Sequence, residues 1–376
     1  MKTVSAMPER ELEREAEDVL RGILGGLVDV HVMSCVRPAD AALDFTMDVV
    51  SSSARFQFAV QAKSRVTPQT AMSACHRFHG GIARAIPVVF APTISPRVTE
   101  ILRAQGVGYA DRAGNCWLRS PHDHLLIERQ GFRGERQATP AAVDPFSKKS
   151  SRIVRALLGR PMKGWRVREL AEDPEVQVSA GLVVKVKRAL VEEGYAVERE
   201  RKLYLREPIE LLKTWSQEYS GPAAATPFYF RRDAAAAEHS VSQWCRANSL
   251  QYALAGFSAA WRLAPEVRYS VAAVYVDGAG FDPKLLDQLM AEYGGKPVDT
   301  GPNLLLWRPF DQSVFVGAVK AGELEQPVTS ALQTYLDLND QGGRGEDAAS
   351  AIFEKHLARD LKAVVTQEGN RSNGAF

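Results

Sequence analysis

The chain has 376 residues, 45% of them hydrophobic, with 47 Lys+Arg against 45 Asp+Glu. That length predicts two or three domains, each large enough to close its own core. No apolar run approaches the roughly 20 residues that span a bilayer, the charged N-terminus lacks a signal-peptide core, and four scattered cysteines without CxxC spacing argue against a disulfide framework or zinc site, so a cytoplasmic protein with no membrane partner is expected.

In chain order, residues 9–27 predict a helix rich in Glu and Arg. Strands at 43–50 and 56–63 follow, both with strong alternation. A helix at 69–85, a buried strand at 87–91, a helix at 95–104 and short strands at 108–110, 116–118 and 124–127 complete a mixed α/β sheet. Asp44, Thr46 and Asp48 share one face of the first strand, and Gln61 and Lys63 share one face of the second, because strand side chains alternate with period two. An acid on one strand and [D/E]-x-K on the next is the layout of the PD-(D/E)xK nucleases, in which two carboxylates hold a divalent cation and the lysine helps to position water. Here Gln61 stands where the second carboxylate belongs, and a neutral amide is a poor ligand for a hard cation. The expectation is a nuclease-like fold with degenerate positions Asp44, Asp48, Gln61 and Lys63, no catalytic residue, no metal and no cofactor; an ordinary strand with a solvated polar face is the bland alternative. Cys75, His76 and His79, with His122 and His124 further on, have no recognised metal-ligand spacing and read as helix-surface and strand residues.

Gly131 to Asp144 loses hydrophobic periodicity and reads as a linker. Beyond it, residues 145–206 carry 15 Lys+Arg against 8 Asp+Glu, a net of +7, whereas the residues before sum to +1 and those after to −6. Positive charge gathered on one module is the footprint of a nucleic-acid-binding element. Ile153, Val154, Leu157 and Leu158 recur at helical spacing after Ser150 and Ser151, which can cap a helix start. A second short helix spans 167–171. Ser179 is a good N-cap for a third helix running to about residue 193, with Gly194 as its C′ residue. In that helix Leu182, Val183, Val186 and Leu190 form a buried stripe. Ala180, Gly181, Val184 and Arg188 lie opposite, flanked by Lys185 and Lys187. Residues 197–205 predict a hairpin with Arg199, Glu200, Arg201 and Lys202 at its tip. The pattern is that of a winged helix-turn-helix, with the third helix in the major groove and the hairpin as wing. The predicted DNA-binding residues are Ser179, Lys185, Lys187, Arg188, Arg199, Arg201 and Lys202.

A second composition shift at 220–226 marks the start of a third part of mixed helix and strand. It predicts helices at 233–248, 283–293, 329–338 and 347–361, and strands at 252–256, 270–276, 303–307 and 314–317. Gly256-Phe257-Ser258 before a helix is like the Gly-Ser entry of nucleotidyltransferases. That chemistry needs paired acids on the next strand, which offers only Asp277. Packing for Gly256 and an N-cap role for Ser258 are the favoured readings. The resulting division is 1–144, 145–219 and 220–376, and the middle part is expected to fold and hold DNA without the third.

Several blocks resemble the AbiEi-like antitoxin family of type IV toxin–antitoxin systems, in its longer members described as transcriptional regulators. They are Val60-Gln61-Ala62-Lys63, the run from Gly106 to Leu118 with Asp111-Arg112-Ala113-Gly114-Asn115 inside it, and the 145–206 segment. Tyr252 to Ala260, Thr334-Tyr335-Leu336-Asp337-Leu338 and Gly343-Arg344-Gly345-Glu346 complete the set. The resemblance implies an α/β multi-domain protein with a nuclease-like N-terminal domain, a central winged helix-turn-helix and a nucleotidyltransferase-like α+β C-terminal domain. It implies a DNA-binding transcriptional regulator, an antitoxin in an autoregulating system. The candidate partners are double-stranded promoter or operator DNA, a second copy of the chain, and a cognate toxin or regulatory protein. The alternatives are a metal-dependent nuclease using Asp44 or Asp48 with Lys63, and a toxin-neutralising protein that acts without DNA.

Overall fold

The computed structural model describes residues 9–26, 30–36, 43–51, 54–79, 85–120, 125–131, 143–322 and 325–373. Most of the 131–144 linker, and His122 and His124, lie outside the described residues. The chain forms two compact units: Met1–Ala142 with Glu192–Gly194, and Val143–Val191 with Tyr195–Phe376.

In the first unit the order is α1 (Glu9–Gly25), β1 (Val30–Val36), β2 (Phe45–Ser51), β3 (Arg55–Ala62), α2 (Pro68–His79), β4 (Ile86–Ala91), α3 (Pro96–Ala104), β5 (Gly108–Asp111), β6 (Cys116–Ser120) and β7 (Leu125–Arg129). The seven strands form one sheet in chain order. The β3–β4 and β4–β5 pairs are parallel and the other four are antiparallel. Strand alternation divides the sheet between two cores. Phe45, Met47, Val60 and Val88 pack with Leu12, Leu20 and Ile23 of α1. Ala59, Val89, Tyr109 and Trp117 pack with Phe78 of α2 and Leu102 of α3. Strand β1 went unpredicted: its pairing with β2 slips between Val32 and Ser34, and that irregularity breaks the alternation a sequence shows.

The Asp-x-x-Gly-Asn block is a turn. The Asp111 carboxylate accepts hydrogen bonds from the Asn115 backbone at 2.9 Å and its side-chain amide at 2.8 Å, and Gly114 takes a positive φ of 90° between β5 and β6. Only glycine holds that backbone at low cost, so turn stereochemistry accounts for the spacing.

The second unit opens with α4 (Lys148–Gly159), α5 (Val167–Glu172), α6 (Ala180–Glu192), the hairpin β8 (Ala196–Arg199) and β9 (Lys202–Leu205), and α7 (Pro208–Glu218). Helix α4 starts a turn earlier than the serines suggested: Ser147 is the N-cap residue, while Ser150 and Ser151 are buried inside the helix. The chain continues through β10 (Ala224–Tyr229), α8 (Ala234–Ala247), β11 (Tyr252–Ala255), α9 (Gly256–Leu263), β12 (Ala272–Val276), α10 (Pro283–Tyr293), β13 (Lys296–Pro297), β14 (Leu304–Arg308), β15 (Val319–Ala321), β16 (Gln326–Val328), α11 (Ala331–Gln341), α12 (Arg344–Ile352) and α13 (Ala358–Asn373). Its second seven-stranded sheet has the order β13-β10-β14-β12-β11-β16-β15.

Two element assignments are corrected here. Residues 314–317 do not form a strand: Gln312–Phe315 is a 3-10 turn, started by Asp311, whose carboxylate accepts from the Ser313 N–H at 2.9 Å. Val314 and Phe315 are both buried, although a half-buried strand would turn one of them outward. The 347–361 helix is α12, a π-helical turn at Phe353–Leu357 and then α13.

The core of helices α4 to α7 and the hairpin extends into the C-terminal part. Ile153, Leu157, Val186, Leu203 and Trp215 share one buried cluster with Leu332 and Leu336 of α11 and Leu361 and Val364 of α13. A two-residue turn joins β8 to β9: Arg199 pairs with Lys202, and Glu200 and Arg201 have φ of 50° and 62°. Positive φ at both positions is the type I′ geometry that matches strand twist, and Asn-Gly adopts it with least strain. Replacing Glu200-Arg201 with Asn-Gly should therefore stabilise the hairpin by about 1 kcal/mol, measured by denaturant unfolding.

Candidate nucleic-acid interface

Helix α6 has one buried and one open face. Val183, Val186 and Leu190 are fully buried, whereas Ala180, Gly181, Val184, Lys185 and Arg188 are exposed. The Ser179 hydroxyl accepts from the Leu182 N–H at 3.2 Å, so the predicted cap is made. At the other end Gly194 has φ 74° and the Tyr195 N–H reaches the Leu190 carbonyl at 2.9 Å, the left-handed stop that the sequence predicts. The hairpin gains a third short strand segment: Trp165 and Leu203 exchange backbone hydrogen bonds of 2.9 and 2.8 Å. The Trp165 ring lies under the Lys163 ammonium, 3.6 Å from its centroid, and the Arg160 guanidinium at 4.5 Å.

The predicted DNA-binding residues divide. Ser179, Lys185 and Arg188 lie on the exposed side of α6, and Arg201 is exposed at the hairpin tip beside half-exposed Lys202. Arg199 is half-buried on β8. Lys187 is only 19% exposed and its ammonium sits 2.9 Å from Glu198 of β8, so it ties helix to hairpin. Other cations of the basic segment are also engaged internally: Arg152 with Asp311 at 2.7 Å, Arg160 with Asp173 at 2.8 Å and Lys163 with Glu169 at 2.7 Å. The charge that the sequence spreads over the whole segment is thus narrowed to part of its surface.

In the first unit the strand register separates the degenerate nuclease-like positions. Phe45 pairs with Val60, but Asp48 pairs with Gln57, four residues from Gln61. At about 3.3 Å per residue this is roughly 13 Å along the strand, so Asp48 does not join Gln61 and Lys63. Its carboxylate accepts from the Ser34 hydroxyl at 2.6 Å and the Gln57 amide at 2.9 Å. Asp44 is the acid beside Gln61, and its carboxylate accepts from the Ala62 N–H at 2.6 Å. Gln61 is buried, and its side-chain oxygen accepts from the Arg77 guanidinium at 3.2 Å. Sequence reading had missed Arg77, because a helix residue sixteen positions away carries no strand-face signal. A built-in cation beside Gln61 changes what an acid there would do. The variant Gln61→Glu should form an ion pair with Arg77, so calorimetry with magnesium or manganese should give no binding heat. Cys75 is buried while His76 is exposed, so that pair does not converge. Among the described residues no cluster of three or more His, Cys, Asp and Glu could hold a metal ion.

In the C-terminal sheet Ser258 is not an N-cap. Ala255 holds that position, and the Ser258 hydroxyl accepts from the Ala273 N–H at 3.0 Å, clasping α9 to β12. Gly256 has φ 49°, and a Cβ there would press on Gln341 and Trp307. Asp277 caps the turn after β12, accepting from the Ala279 N–H at 2.7 Å. Two positions before it on the same strand stands Tyr275, fully buried, with its ring edge-on to Trp307 and Phe315.

The Tyr275 hydroxyl donates at 2.8 Å to Asp337, the acid of the Thr334–Leu338 block. The same carboxylate oxygen accepts from Tyr219 at 2.9 Å and Gln333 at 2.7 Å, while the other has no hydrogen-bond partner among the described residues. Gln333 in turn accepts from buried Arg155 of α4 at 2.6 Å, and that guanidinium lies 5.1 Å from the Trp215 ring centroid. Burial raises the Asp337 pKa to about 7, against the lowering pull of Tyr219, Tyr275, Gln333 and Arg155. Burial likewise lowers that of Arg155. By contrast, buried Glu238 has both oxygens engaged, by Arg262 at 2.7 Å and Tyr269 at 2.8 Å. A carboxyl with a raised folded-state pKa stabilises the fold while protonated. The contribution of Asp337 is complete below about pH 4 and is lost as pH rises through about 7. The Asp337→Asn variant should lose this dependence, so the gap in melting temperature between parent and variant should move in the variant's favour from pH 5 to pH 8.

These features define a mixed α/β multi-domain protein with two large sheets and a small basic helix–hairpin surface. Residues 204–358 match the family described as transcriptional regulator, AbiEi antitoxin, type IV TA system, in agreement with the resemblance read from the sequence. The match supports a regulatory antitoxin role. It begins in β9 and takes in α7 and the C-terminal sheet, with the Tyr252–Ala260, Thr334–Leu338 and Gly343–Glu346 blocks inside it. A search of curated proteins returned no match, nor did a search of solved structures. No helix among the described residues is long and apolar enough to cross a membrane.

Proposed function

We propose that this protein is a sequence-specific, double-stranded DNA-binding transcriptional regulator, an antitoxin that acts at its own promoter in the cytoplasm. The carrying observation is the exposed face of α6, where Lys185 and Arg188 accompany Ala180, Gly181 and Val184. Helices α4 to α6 with the β8–β9 hairpin are the winged helix-turn-helix: α6 enters the major groove, and Arg201 and Lys202 reach the phosphates. Lys187 keeps helix and wing in register through Glu198. The three-part division, 1–144, 145–219 and 220–376, is retained as a division of roles, with the last two parts folding together.

The first unit is a nuclease-like scaffold without catalysis, because Gln61 and Arg77 occupy the place of a second acid and its cation. The C-terminal sheet is a nucleotidyltransferase-like fold whose site is filled by Tyr275, Trp307 and Asp337. The acidic chain after Arg206, net −6, is the surface offered to a cognate toxin. A homodimer would place two reading helices on a two-fold operator.

The test is fluorescence anisotropy on the promoter duplex of the protein's own operon across a salt series. Phosphate contacts release counterions, so the logarithm of affinity should fall linearly with the logarithm of salt, with a slope of about −4 or steeper for five or more contacts. A flat salt dependence, or equal affinity for scrambled duplex, contradicts the reading.

A further inference from the structure

The polar cluster behind α4 is buried and under-bonded. Arg155, Tyr275, Gln333 and Asp337 are each at most 4% exposed. One Asp337 oxygen accepts three hydrogen bonds, and the other accepts none. Among the described residues no other carboxylate keeps a buried oxygen unbonded. Arg155 donates Nη2 to Gln333 and leaves Nε and Nη1 without partners. Each orphaned atom retains its desolvation cost with no bond to offset it. The closed cluster is therefore held less firmly than its packing suggests.

The cluster is also a joint. Gln333 and Asp337 belong to α11, Tyr275 to β12 and Arg155 to α4, and Tyr219 ends α7. Through α4 it reaches the core that carries Val183, Val186 and Leu190 of α6. The other charged groups nearby are engaged or face solvent. Arg152 of α4 pairs with Asp311. Burial would raise the Asp311 pKa, but hydrogen bonds from Arg152 and Ser313 outweigh it, so that anchor stays charged. Asp340, further along α11, is exposed. On α9, α12 and the π-helical turn, which also pack on α11, Arg262 bonds to Glu238, Arg344 to the Arg268 carbonyl and His356 to the Leu263 carbonyl.

We propose that Asp337 is a proton-sensitive latch on DNA binding: its neutral form keeps α4 docked on α11, and its ionised form loosens α4 and weakens the hold on DNA. The inference rests on the DNA-binding reading above and adds the regulation of that surface. In the closed cluster burial holds the carboxyl at about 7. Opened to water it returns to about 4. The proton thus favours the closed form, and rising pH through about 7 favours the open one. Residues 145–219 contain no histidine, so the reading module has no imidazole of its own to produce such a response.

The experiment uses the full chain and a duplex selected by it from a randomised library at pH 6. Affinity is measured by fluorescence anisotropy at pH 6 and pH 8 and constant ionic strength. The expected result is a loss of about threefold to tenfold at pH 8, tenfold being roughly the most that one such group shifts a two-state balance over this range. Asp337→Asn, an amide of similar shape that cannot ionise, should bind equally at both pH values. His239→Gln and His356→Gln should keep the response of the parent. Hydrogen exchange in peptides of α4, corrected for the intrinsic rate, should show opening of the parent that rises with a midpoint near pH 7. The proposal is overturned if parent affinity is the same at both pH values, if Asp337→Asn weakens like the parent, or if a histidine variant abolishes the response. Opening of α4 that does not change with pH overturns it whether or not any variant folds. A parent chain that enriches no sequence from the library overturns the DNA-binding reading and this inference together. Enrichment with an affinity that ignores pH overturns this inference alone.

Discussion

In a chain ending at Glu218 the α4–α7 part should lose cooperative unfolding, even though every residue of the reading helices and the hairpin is retained. This reverses the expectation that the middle part folds without the third. Truncation removes Leu332, Leu336, Leu361 and Val364, each at most 7% exposed and all in the same core as α4, α6 and β9. At about 1.5–3 kcal/mol per buried aliphatic side chain the loss is roughly 6–12 kcal/mol, comparable with the whole stability of a domain. Arg155 would also lose Gln333, its hydrogen-bond partner, and the Asp337 carboxylate that faces it. Hydrogen exchange of the truncated and parent chains decides the matter: protection in α4 to α7 as strong as in the parent would show that the helices close their own core. A point variant tests the same coupling more gently. Leu336→Ala, at a fully buried position of α11, should cost about 2–5 kcal/mol, and its effect should extend to hydrogen exchange in α4.

The second large effect is expected at the open face of α6. Replacing Lys185 and Arg188 together by Ala should weaken operator binding by about 2–6 kcal/mol, at roughly 1–3 kcal/mol for each good base contact. It should leave the melting temperature nearly unchanged, because both side chains are exposed. Lys187→Ala should behave differently. It breaks the 2.9 Å pair with Glu198 and so loosens the hairpin; surface pairs are worth at most about 1 kcal/mol, and binding should fall by no more than about tenfold. Equal losses for Lys187→Ala and for the double variant would mean that Lys187 touches DNA itself. Gel shifts on one promoter fragment with matched melts separate the cases.

Much of this was legible because it is local. The Ser179 cap, the Gly194 stop and the hairpin tip follow from helical period and turn chemistry, and each is present; of the expected Leu182/Val183/Val186/Leu190 stripe the last three are buried and Leu182 is partly buried. The strand faces of Asp44 and Gln61 follow from period two. What sequence could not supply is register and long-range pairing. Asp48 and Asp44 look equivalent on one strand face until the β2–β3 pairing puts Asp48 against Gln57. Lys187 looks like Lys185 until β8 folds back and offers Glu198. Arg77 on Gln61, and Gln333 on Arg155, join residues 16 and 178 positions apart, and no periodicity carries such pairs. The composition shift at 220–226 runs into β10, an internal strand of the second sheet, because a polar, alanine-rich stretch can still serve as a strand when its partner β14 supplies the large side chains. Asp337 lies in one of the blocks that carry the family resemblance, but its burial and its tyrosine partners belong to the tertiary structure.

The central claim is that this protein holds duplex DNA with α6 and the hairpin. Hydrogen-exchange mass spectrometry on the full chain, free and saturated with its selected duplex, tests it most directly. The account predicts new protection in peptides covering residues 179–188 and 199–202, with no change at β2 and β3 of the first unit. Protection concentrated around Asp44 and Lys63, or confined to the acidic chain after Arg206, with 179–188 unaltered, would contradict it.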